Sequence, residues 1–236
     1  MQIAGLVKNS VVDYPGKIAA VVFTPGCNLD CYYCHNRFLL SKETWGELLF
    51  EEDVLSYLDK RKKLLDGFVI SGGEPTLQKD LKEFIQKVKN LDYDIKMDTN
   101  GTNPEILKDL IDNRLLDYVA MDFKAPFPKY GQICGIDALP VLEKIKESIN
   151  LLLTSQISYE FRTTFIPELK KEDILEMTEY IQGARLYILQ QYRKPELPNN
   201  EKLALRLQQY AHSADYINAT AQKAAEMVAV CETRGL

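Results

Sequence analysis

The chain has 236 residues, and 46% of them are hydrophobic, which is enough apolar material for a sizeable buried core. A formal net charge of -5 argues against a broad electrostatic surface for nucleic acid. No apolar stretch approaches the roughly 20 residues that span a bilayer, and no basic segment followed by a secretion-length apolar run opens the chain. We therefore expect a soluble, cytoplasmic protein without nucleic acid or membrane as partners.

Short runs rich in β-branched and aromatic residues alternate along the chain with longer segments of helical periodicity. This alternation is typical of successive βα units around a parallel sheet. The predicted strands cover residues 18–24, 67–71, 94–99, 118–122, 158–164 and 185–190. The predicted helices cover residues 50–63, 79–91, 104–113, 139–154, 171–182 and 201–214.

The predicted fold class is α/β, as an incomplete (β/α)6 TIM-like barrel, because six units are too few to close the eight-stranded form. We expect one domain over residues 1–236. The barrel core is predicted at about 14–192, followed by a C-terminal helical extension at about 200–236.

A loop with three cysteines directly follows the first predicted strand. Cys27, Cys31 and Cys34 have the spacing CxxxCxxC. Thiolates are the usual ligands of iron–sulfur clusters, and three of them on a four-iron cube leave one iron without a protein ligand. That iron is free to bind and reduce a small molecule, so the pattern indicates chemistry rather than a structural role.

Two other uses of cysteine compete with this interpretation. Structural zinc needs four ligands in two pairs, and the remaining candidates are not paired at ligand spacing: Cys134, Cys231, His35 and His212. A disulfide framework is disfavoured by an odd count of five cysteines in a long chain. We therefore expect a reducing compartment, with Cys134 and Cys231 as packing residues.

Further motifs follow the next strands, at the edge where parallel α/β folds build active sites. Gly72 and Gly73 would let the backbone approach a ligand closely, and Glu74 could accept hydrogen bonds from an ammonium group. The alternative is a βα turn in which Pro75 opens the next helix. The segment 98–101 could bind sugar hydroxyls or a cation, although its Asn-Gly pair is also an ordinary turn signal.

Charged residues occupy the ends of the fourth and fifth strands. The two-residue period places Asp122 and Lys124 on the same side of an extended chain, which suits a polar ligand or a simple surface ion pair. Arg162 is flanked by apolar residues and would need an anionic partner inside the fold, unless its strand lies at an edge. The segment 189–194 could line a pocket mouth or form a solvated loop.

The cysteine loop, with Tyr33 before its third cysteine, and the later Gly-Gly-Glu-Pro motif resemble the radical S-adenosylmethionine superfamily. Within it, segments 10–16, 24–36, 98–101 and 189–192 resemble the activating proteins of anaerobic ribonucleoside-triphosphate reductase. Segments 33–36 and 98–101 are also similar to pyruvate formate-lyase activating enzymes. The motifs therefore identify a glycyl-radical activase more securely than its client.

The resemblance implies a site residue by residue. Cys27, Cys31 and Cys34 would hold a [4Fe-4S] cluster, whose free iron binds the amine and carboxylate of S-adenosyl-L-methionine. Glu74 and the backbone of Gly72 and Gly73 would hold the methionine ammonium. The other residues of the implied cofactor site are Tyr33 beside the adenine, Asn36, Pro75, Asp98, Asn100, Asp122, Lys124, Arg162 and Tyr192, of which Lys124 is also placed among the catalytic residues. Tyr192 stands where formate-lyase activases have a histidine.

The resemblance also implies the reaction and its partners. Reductive cleavage of S-adenosylmethionine would yield a 5′-deoxyadenosyl radical, which generates a glycyl radical on anaerobic ribonucleoside-triphosphate reductase. A flavodoxin-like protein would donate the electron. The alternatives are an activase of a pyruvate formate-lyase-type enzyme, a small-molecule enzyme such as a carboxy-deazaguanine synthase, and a noncatalytic metal-binding scaffold.

Overall fold

The computed structural model describes residues 1–137, 139–195 and 206–236. These residues form an eight-stranded sheet in which each strand lies beside its neighbour in sequence. The first pair of strands is antiparallel, and all later pairs are parallel. The strands are β1 (Gly5–Ser10), β2 (Ala19–Thr24), β3 (Gly67–Gly72), β4 (Asp94–Thr99), β5 (Tyr118–Asp122), β6 (Ser158–Phe165), β7 (Tyr187–Gln191) and β8 (Cys231–Arg234).

Helices connect the parallel strands and bury their apolar faces against the sheet. In α2, for example, Leu81, Phe84, Ile85 and Val88 are buried at the intervals of one helix face. The helices of the described residues are α1 (Glu51–Arg61), α2 (Leu81–Lys89), α3 (Pro104–Asp112), α4 (Phe127–Cys134), α5 (Leu139–Thr154), α6 (Lys171–Tyr180) and α7 (Ala214–Ala224). None of them is both long and apolar enough to cross a lipid bilayer.

The predicted α/β fold with an incomplete barrel is confirmed. The six predicted strands correspond to β2 through β7, with bounds that differ by at most two residues. The sequence analysis missed α4, because Pro128 and Gly131 within it are poor helix formers. It also missed β1, whose residues are mostly exposed and lack the alternation of a half-buried strand.

The C-terminal region differs from the expected helical extension. The predicted helix 201–214 lies partly outside the described residues, and residues 207–213 form turns and irregular structure. In the described part of this region, α7 begins after Ser213, whose hydroxyl accepts a hydrogen bond from the amide of Tyr216 and caps the helix. The following β8 pairs in parallel with β7, so the region extends the sheet. The expectation of one domain over residues 1–236 stays a prediction.

The two ends of the barrel interior differ in chemistry. At the amino ends of the strands, Tyr14, Ala19, Val21 and Val69 form a small buried apolar cluster. Polar and charged side chains lie towards the carboxyl ends, where the strand-end motifs meet. The apolar cluster thus fills the interior at the amino ends of the strands. The interior at the carboxyl ends is left available to a polar ligand.

Candidate functional site

A cavity of about 280 Å³ lies at the carboxyl ends of the strands. It is bounded by the cysteine loop after β2, by the loops after β3, β4 and β5, and by the ends of β6 and β7. The structure brings most predicted site residues together in its lining: Cys27, Cys31, Tyr33, Cys34, Asn36, Gly72, Gly73, Asp98, Asn100, Asp122, Lys124 and Arg162. Of the described residues expected here, Glu74, Pro75 and Tyr192 lie outside that lining.

The cysteine loop presents its three thiols to the cavity. The amide of Cys34 donates a hydrogen bond of 3.0 Å to the carbonyl of Cys31, and the amide of Gly26 donates one of 2.7 Å to the carbonyl of Leu39. Within residues 1–137, 139–195 and 206–236, no three Cys, His, Asp or Glu side chains converge as the ligands of one metal ion do. Thiolates on a cluster bind separate irons, so this loop suits a cluster better than a single zinc ion.

Burial governs the protonation of these thiols in the metal-free protein. It raises the pKa of Cys27 to about 12 and also raises the pKa of Cys34. A hydrogen bond with the buried Cys134 lowers the pKa of Cys31. Cys134 therefore contacts the loop, in addition to the packing role that was predicted for it. Because metal ligation requires thiolates, loading a cluster here must release protons.

Gly72 and Gly73 allow two backbone segments to meet beside the cavity. Gly72 has a φ of +123°, and a Cβ on it would overlap the backbone of Thr24. A Cβ on Gly73 would overlap the carbonyl oxygen of Gly26, immediately before the cysteines. Two hydrogen bonds join the segments, from the Gly73 amide to Thr24 O at 2.9 Å and from the Glu74 amide to Gly26 O at 2.8 Å. The predicted close approach thus packs one loop against the other as well as exposing backbone to the cavity.

The Glu74 side chain is held by the loop after β4, and its expected contact with the methionine ammonium stays a prediction. Its carboxylate is fully buried and accepts hydrogen bonds from Thr76, from Thr99 Oγ1 at 2.8 Å and from the amide of Asn100 at 2.7 Å. It therefore positions the loop after β4 and does not reach the cavity. Burial raises its pKa, although these hydrogen bonds act in the opposite direction.

The expected roles of Pro75 and Tyr192 in the cofactor site also stay predictions. Pro75 begins a short 3-10 helix, Pro75–Leu77, which corresponds to the turn alternative for this motif. Tyr192 is buried within the core and burial raises the pKa of its phenol. Neither side chain lines the cavity among the described residues. A tyrosine replaces the histidine of formate-lyase activases in sequence, but it offers the cavity no contact here.

The remaining predicted residues contact the cysteine loop. Asn100 donates from Nδ2 to Asn28 Oδ1 at 2.9 Å, and its Nδ2 lies 3.8 Å from Cys27 Sγ. Asn36 donates to the carbonyl of Gly72 at 3.5 Å. Tyr33 is buried and lines the cavity. These contacts hold the cysteine loop against the loops that follow β3 and β4.

A charged network forms the opposite side of the cavity. Arg162 donates from Nε to Asp122 Oδ1 at 2.9 Å, and its Nη1 lies 3.4 Å from Asp98 Oδ1. Lys124 Nζ lies 3.3 Å from Asp122 Oδ2. The structure thus brings together the four charged residues that the sequence placed at three different strands.

The cations keep both carboxylates ionised. Burial alone would raise the pKa of Asp122, but Arg162 and Lys124 outweigh it and lower that pKa to about 2. Burial opposes ionisation of Asp98 in the same way, and Arg162 and Lys96 nevertheless lower its pKa. The pKa of Lys124 is raised well above its usual range, because nearby anions outweigh burial. The cavity therefore keeps fixed charges of both signs at neutral pH.

The sequence analysis missed several members of this network. The ammonium of Lys96 is buried and donates a hydrogen bond to Asp98. A positively charged side chain therefore lies on this side of Asp98. Glu160 is fully buried, and it lies 3.8 Å from Arg162 Nη1 and 3.3 Å from Arg234 Nη2 of β8. Lys96 precedes Asp98 by two residues, and Glu160 precedes Arg162 by two. The two-residue period of a strand could have identified both, whereas Arg234 had no such signal.

Comparisons with known proteins agree with this site. The family model described as Radical SAM superfamily matches residues 21–181. A Methanocaldococcus jannaschii protein, named as a candidate glycyl-radical enzyme activating enzyme, is 38% identical over 203 residues, covering 84% of this chain and 83% of that protein. A probable GTP 3′,8-cyclase of Saccharolobus solfataricus is 33% identical over 138 residues, covering 56% of this chain and only 43% of the cyclase.

The fold also resembles a solved structure. Streptococcus suis SuiB bound to S-adenosylmethionine superposes with a TM-score of 0.61 at 14% identity, covering 91% of this chain and 52% of SuiB. At that identity the likeness concerns the fold alone. The family match over more than half of the chain, together with the M. jannaschii relative, shows that this chain belongs to the radical SAM superfamily.

Proposed function

We propose that this radical SAM enzyme generates a glycyl radical on a partner enzyme, and that the partner is an anaerobic ribonucleoside-triphosphate reductase. The observation that carries the proposal is the 38% identity to the M. jannaschii protein named for this activity, over 83% of that protein. The similarity to the S. solfataricus GTP cyclase supports cyclase activity less well, because it covers only 43% of that protein. The motifs in segments 10–16 and 189–192 favour the reductase as client.

Radical SAM enzymes use a [4Fe-4S] cluster and S-adenosyl-L-methionine. We propose Cys27, Cys31 and Cys34 as the cluster ligands, because they are the thiols of one loop that line the cavity. When bound, the cofactors supply a one-electron cleavage that yields methionine and a 5′-deoxyadenosyl radical. We propose a flavodoxin-like protein as the electron donor and the reducing cytoplasm as the compartment, which suits five cysteines that are free thiols.

The charged network would bind and orient the polar end of S-adenosylmethionine. Lys124 carries a positive charge that can bind the methionine carboxylate, while Asp98 and Asp122 can accept hydrogen bonds from ribose hydroxyls. Arg162 holds both aspartates in place through its contacts of 2.9 Å and 3.4 Å. The backbone of Gly72 and Gly73, which line the cavity, would hold the methionine ammonium.

In the radical step, the protein itself would orient the target glycine and exclude water. The cavity is lined mostly by buried and half-buried side chains, which would limit access of solvent to a reactive carbon radical. Thr164 and Gln190 line it from β6 and β7, on neighbouring strands of the sheet. Their hydroxyl and amide groups would hydrogen-bond the backbone beside a target glycine. Holding the glycine Cα near the radical makes hydrogen abstraction effectively unimolecular.

Electron paramagnetic resonance of anaerobic mixtures tests the proposal. The reconstituted enzyme is mixed with reductant, S-adenosylmethionine and either an anaerobic ribonucleotide reductase or a pyruvate formate-lyase. We expect a glycine-centred signal with the reductase, absent when S-adenosylmethionine is omitted. A signal only with the formate-lyase would reassign the client. Steady release of 5′-deoxyadenosine without a glycine signal in any mixture would contradict activase function.

A further inference from the structure

One arginine from the C-terminal region returns to the cysteine loop. The guanidinium carbon of Arg206 lies 4.0 Å from the ring centroid of Tyr32, a distance that corresponds to a close cation–π stack. Tyr32 is buried and stands next to Cys31 in the sequence. The sequence analysis assigned no role to Arg206 or to Tyr32, and neither residue lines the cavity of the described residues.

Two further contacts fix the guanidinium in this position. Arg206 binds Glu168 through both carboxylate oxygens, with Nε to Oε1 at 2.7 Å and Nη2 to Oε2 at 2.8 Å. It also donates to the carbonyl of Gln132 on α4, at 3.2 Å from Nη1 and 3.3 Å from Nη2. A bidentate fork combined with stacking is a geometry that lysine cannot reproduce. Arg206 therefore joins α4, the segment before α6 and the cysteine loop at one point.

The neighbours of this contact connect it to the proposed cluster ligands. The Asp30 amide donates a hydrogen bond of 2.8 Å to the carbonyl of Cys134, at the end of α4. On the cavity side, Tyr32 packs edge-on against Tyr33, with ring centroids 5.4 Å apart. The loop is thus held at Asp30 and at Tyr32, on both sides of Cys31. The next residue after Arg206, Leu207, is fully buried and anchors the same segment in the core.

We propose that Arg206 is a positioning residue that clamps the cysteine loop through Tyr32 and thereby slows loss of the iron–sulfur cluster. Since Glu168 neutralises the guanidinium, the clamp adds little net charge near the cluster. Its effect therefore falls on retention of the cluster rather than on its reduction potential. This inference does not depend on the identity of the glycyl-radical client.

Iron release tests the clamp without any measurement of turnover. The reconstituted wild-type protein and its Arg206→Gln variant are mixed anaerobically with an excess of iron chelator, and loss of the cluster's visible absorption is followed. We expect release about tenfold faster in the variant, which corresponds to about 1.4 kcal/mol and matches the size of a partly buried cation–π contact. The reduction potential of the cluster should stay unchanged.

Arg185→Gln is a matched control. Arg185 also stacks on a tyrosine, 5.6 Å from the Tyr159 centroid, and donates to two carbonyls, Ile157 O and Ser155 O. It precedes β7 at the amino end of the barrel, opposite the cysteine loop. Its replacement should leave iron release unchanged. Equal acceleration in both arginine variants would overturn the proposal, and so would a wild-type rate in Arg206→Gln.

Substitutions of Tyr32 keep the test decisive if Arg206→Gln does not fold. Tyr32→Phe keeps the ring and should release iron at the wild-type rate, whereas Tyr32→Leu should match the expected tenfold acceleration. The double variant Arg206→Gln with Tyr32→Leu should be no faster than either single variant, because both remove one shared contact. Additive rates, or equal rates in Tyr32→Phe and Tyr32→Leu, would contradict a clamp that acts through the ring.

Discussion

Arg162 and Asp122 lie opposite each other on neighbouring parallel strands, and Arg162 Nε donates a hydrogen bond of 2.9 Å to Asp122 Oδ1. The same guanidinium lies 3.4 Å from Asp98 on the strand beyond. One side chain thus organises carboxylates from two strand ends.

Arg162→Met should weaken both the fold and the cofactor site. The change leaves the half-buried Asp98 and Asp122 short of a cation, and removal of one partner costs about 3 kcal/mol when an ion pair is fully buried. We expect that loss in the free energy of unfolding by urea denaturation, and at least tenfold weaker S-adenosylmethionine binding by equilibrium dialysis. Lys82→Met, which breaks the exposed pair with Asp109, should change neither quantity measurably. Comparable losses in the two variants would refute the role of Arg162.

Asp122 should give the folded protein an acid-dependent stability. Its pKa is about 2 in the folded state and ordinarily 3.8, so the folded state favours the ionised form. That contribution is fully present above pH 4 and is lost as pH falls towards 2, by about 2 kcal/mol. Urea denaturation of metal-free wild type and Asp122→Asn should show a stability difference that shrinks over this range. A constant difference would mean that Asp122 titrates normally.

Cys31→Ala should abolish cleavage of S-adenosylmethionine and lower the iron content after reconstitution, because the cluster would lose one of three proposed thiolates. Cys231→Ala is the control, since Cys231 lies on β8 and away from the cavity. It should keep nearly full iron content and cleavage. Equal losses in both variants, by iron analysis and by chromatography of 5′-deoxyadenosine, would show that the proposed ligand set is wrong.

Gly73→Ala should be destabilising, because its new methyl group would overlap the carbonyl oxygen of Gly26. Overpacking of this kind costs about 1–3 kcal/mol when backbone has to shift. Gly5→Ala is the matched control, because its Cβ would meet the Phe23 side chain at an ordinary 3.6 Å. We expect thermal unfolding to move several degrees lower for Gly73→Ala and to change little for Gly5→Ala. A stable Gly73→Ala protein would mean that the two loops are not tightly packed.

The strands that could be predicted are those with strong local patterns. β2 to β7 are largely buried, contain β-branched and aromatic residues and are flanked by turn signals, so their pattern is visible without tertiary information. β8 is a polar four-residue strand, Cys231–Arg234, whose arginine pairs with Glu160 on β6. Such a strand depends on contacts between residues far apart in the chain, and sequence periodicity does not reveal them.

The candidate site divides in the same way. The cysteines and the strand-end charges are short motifs, so they could be located directly from the sequence. The hydrogen bonds of Glu74 could not be predicted, because its partners Thr99 and Asn100 belong to another loop. The role of Arg206 could not be predicted, because its contacts are with Tyr32, Glu168 and Gln132, which are distant from it in the sequence. Residues in short motifs can thus be located from the sequence, whereas the residues that hold them in position depend on contacts made in the complete fold.

The interlocked backbones of Gly73 and Gly26 have a mechanical consequence. The rate of electron transfer between two centres falls steeply as the distance between them grows. Thermal fluctuation of that distance would therefore make the rate of a redox step vary. Hydrogen bonds join the segment that precedes the three thiols to the segment beside the proposed methionine site. There is no room for a side chain between these two segments. We expect this contact to limit changes in the distance between the proposed cluster and the proposed methionine site.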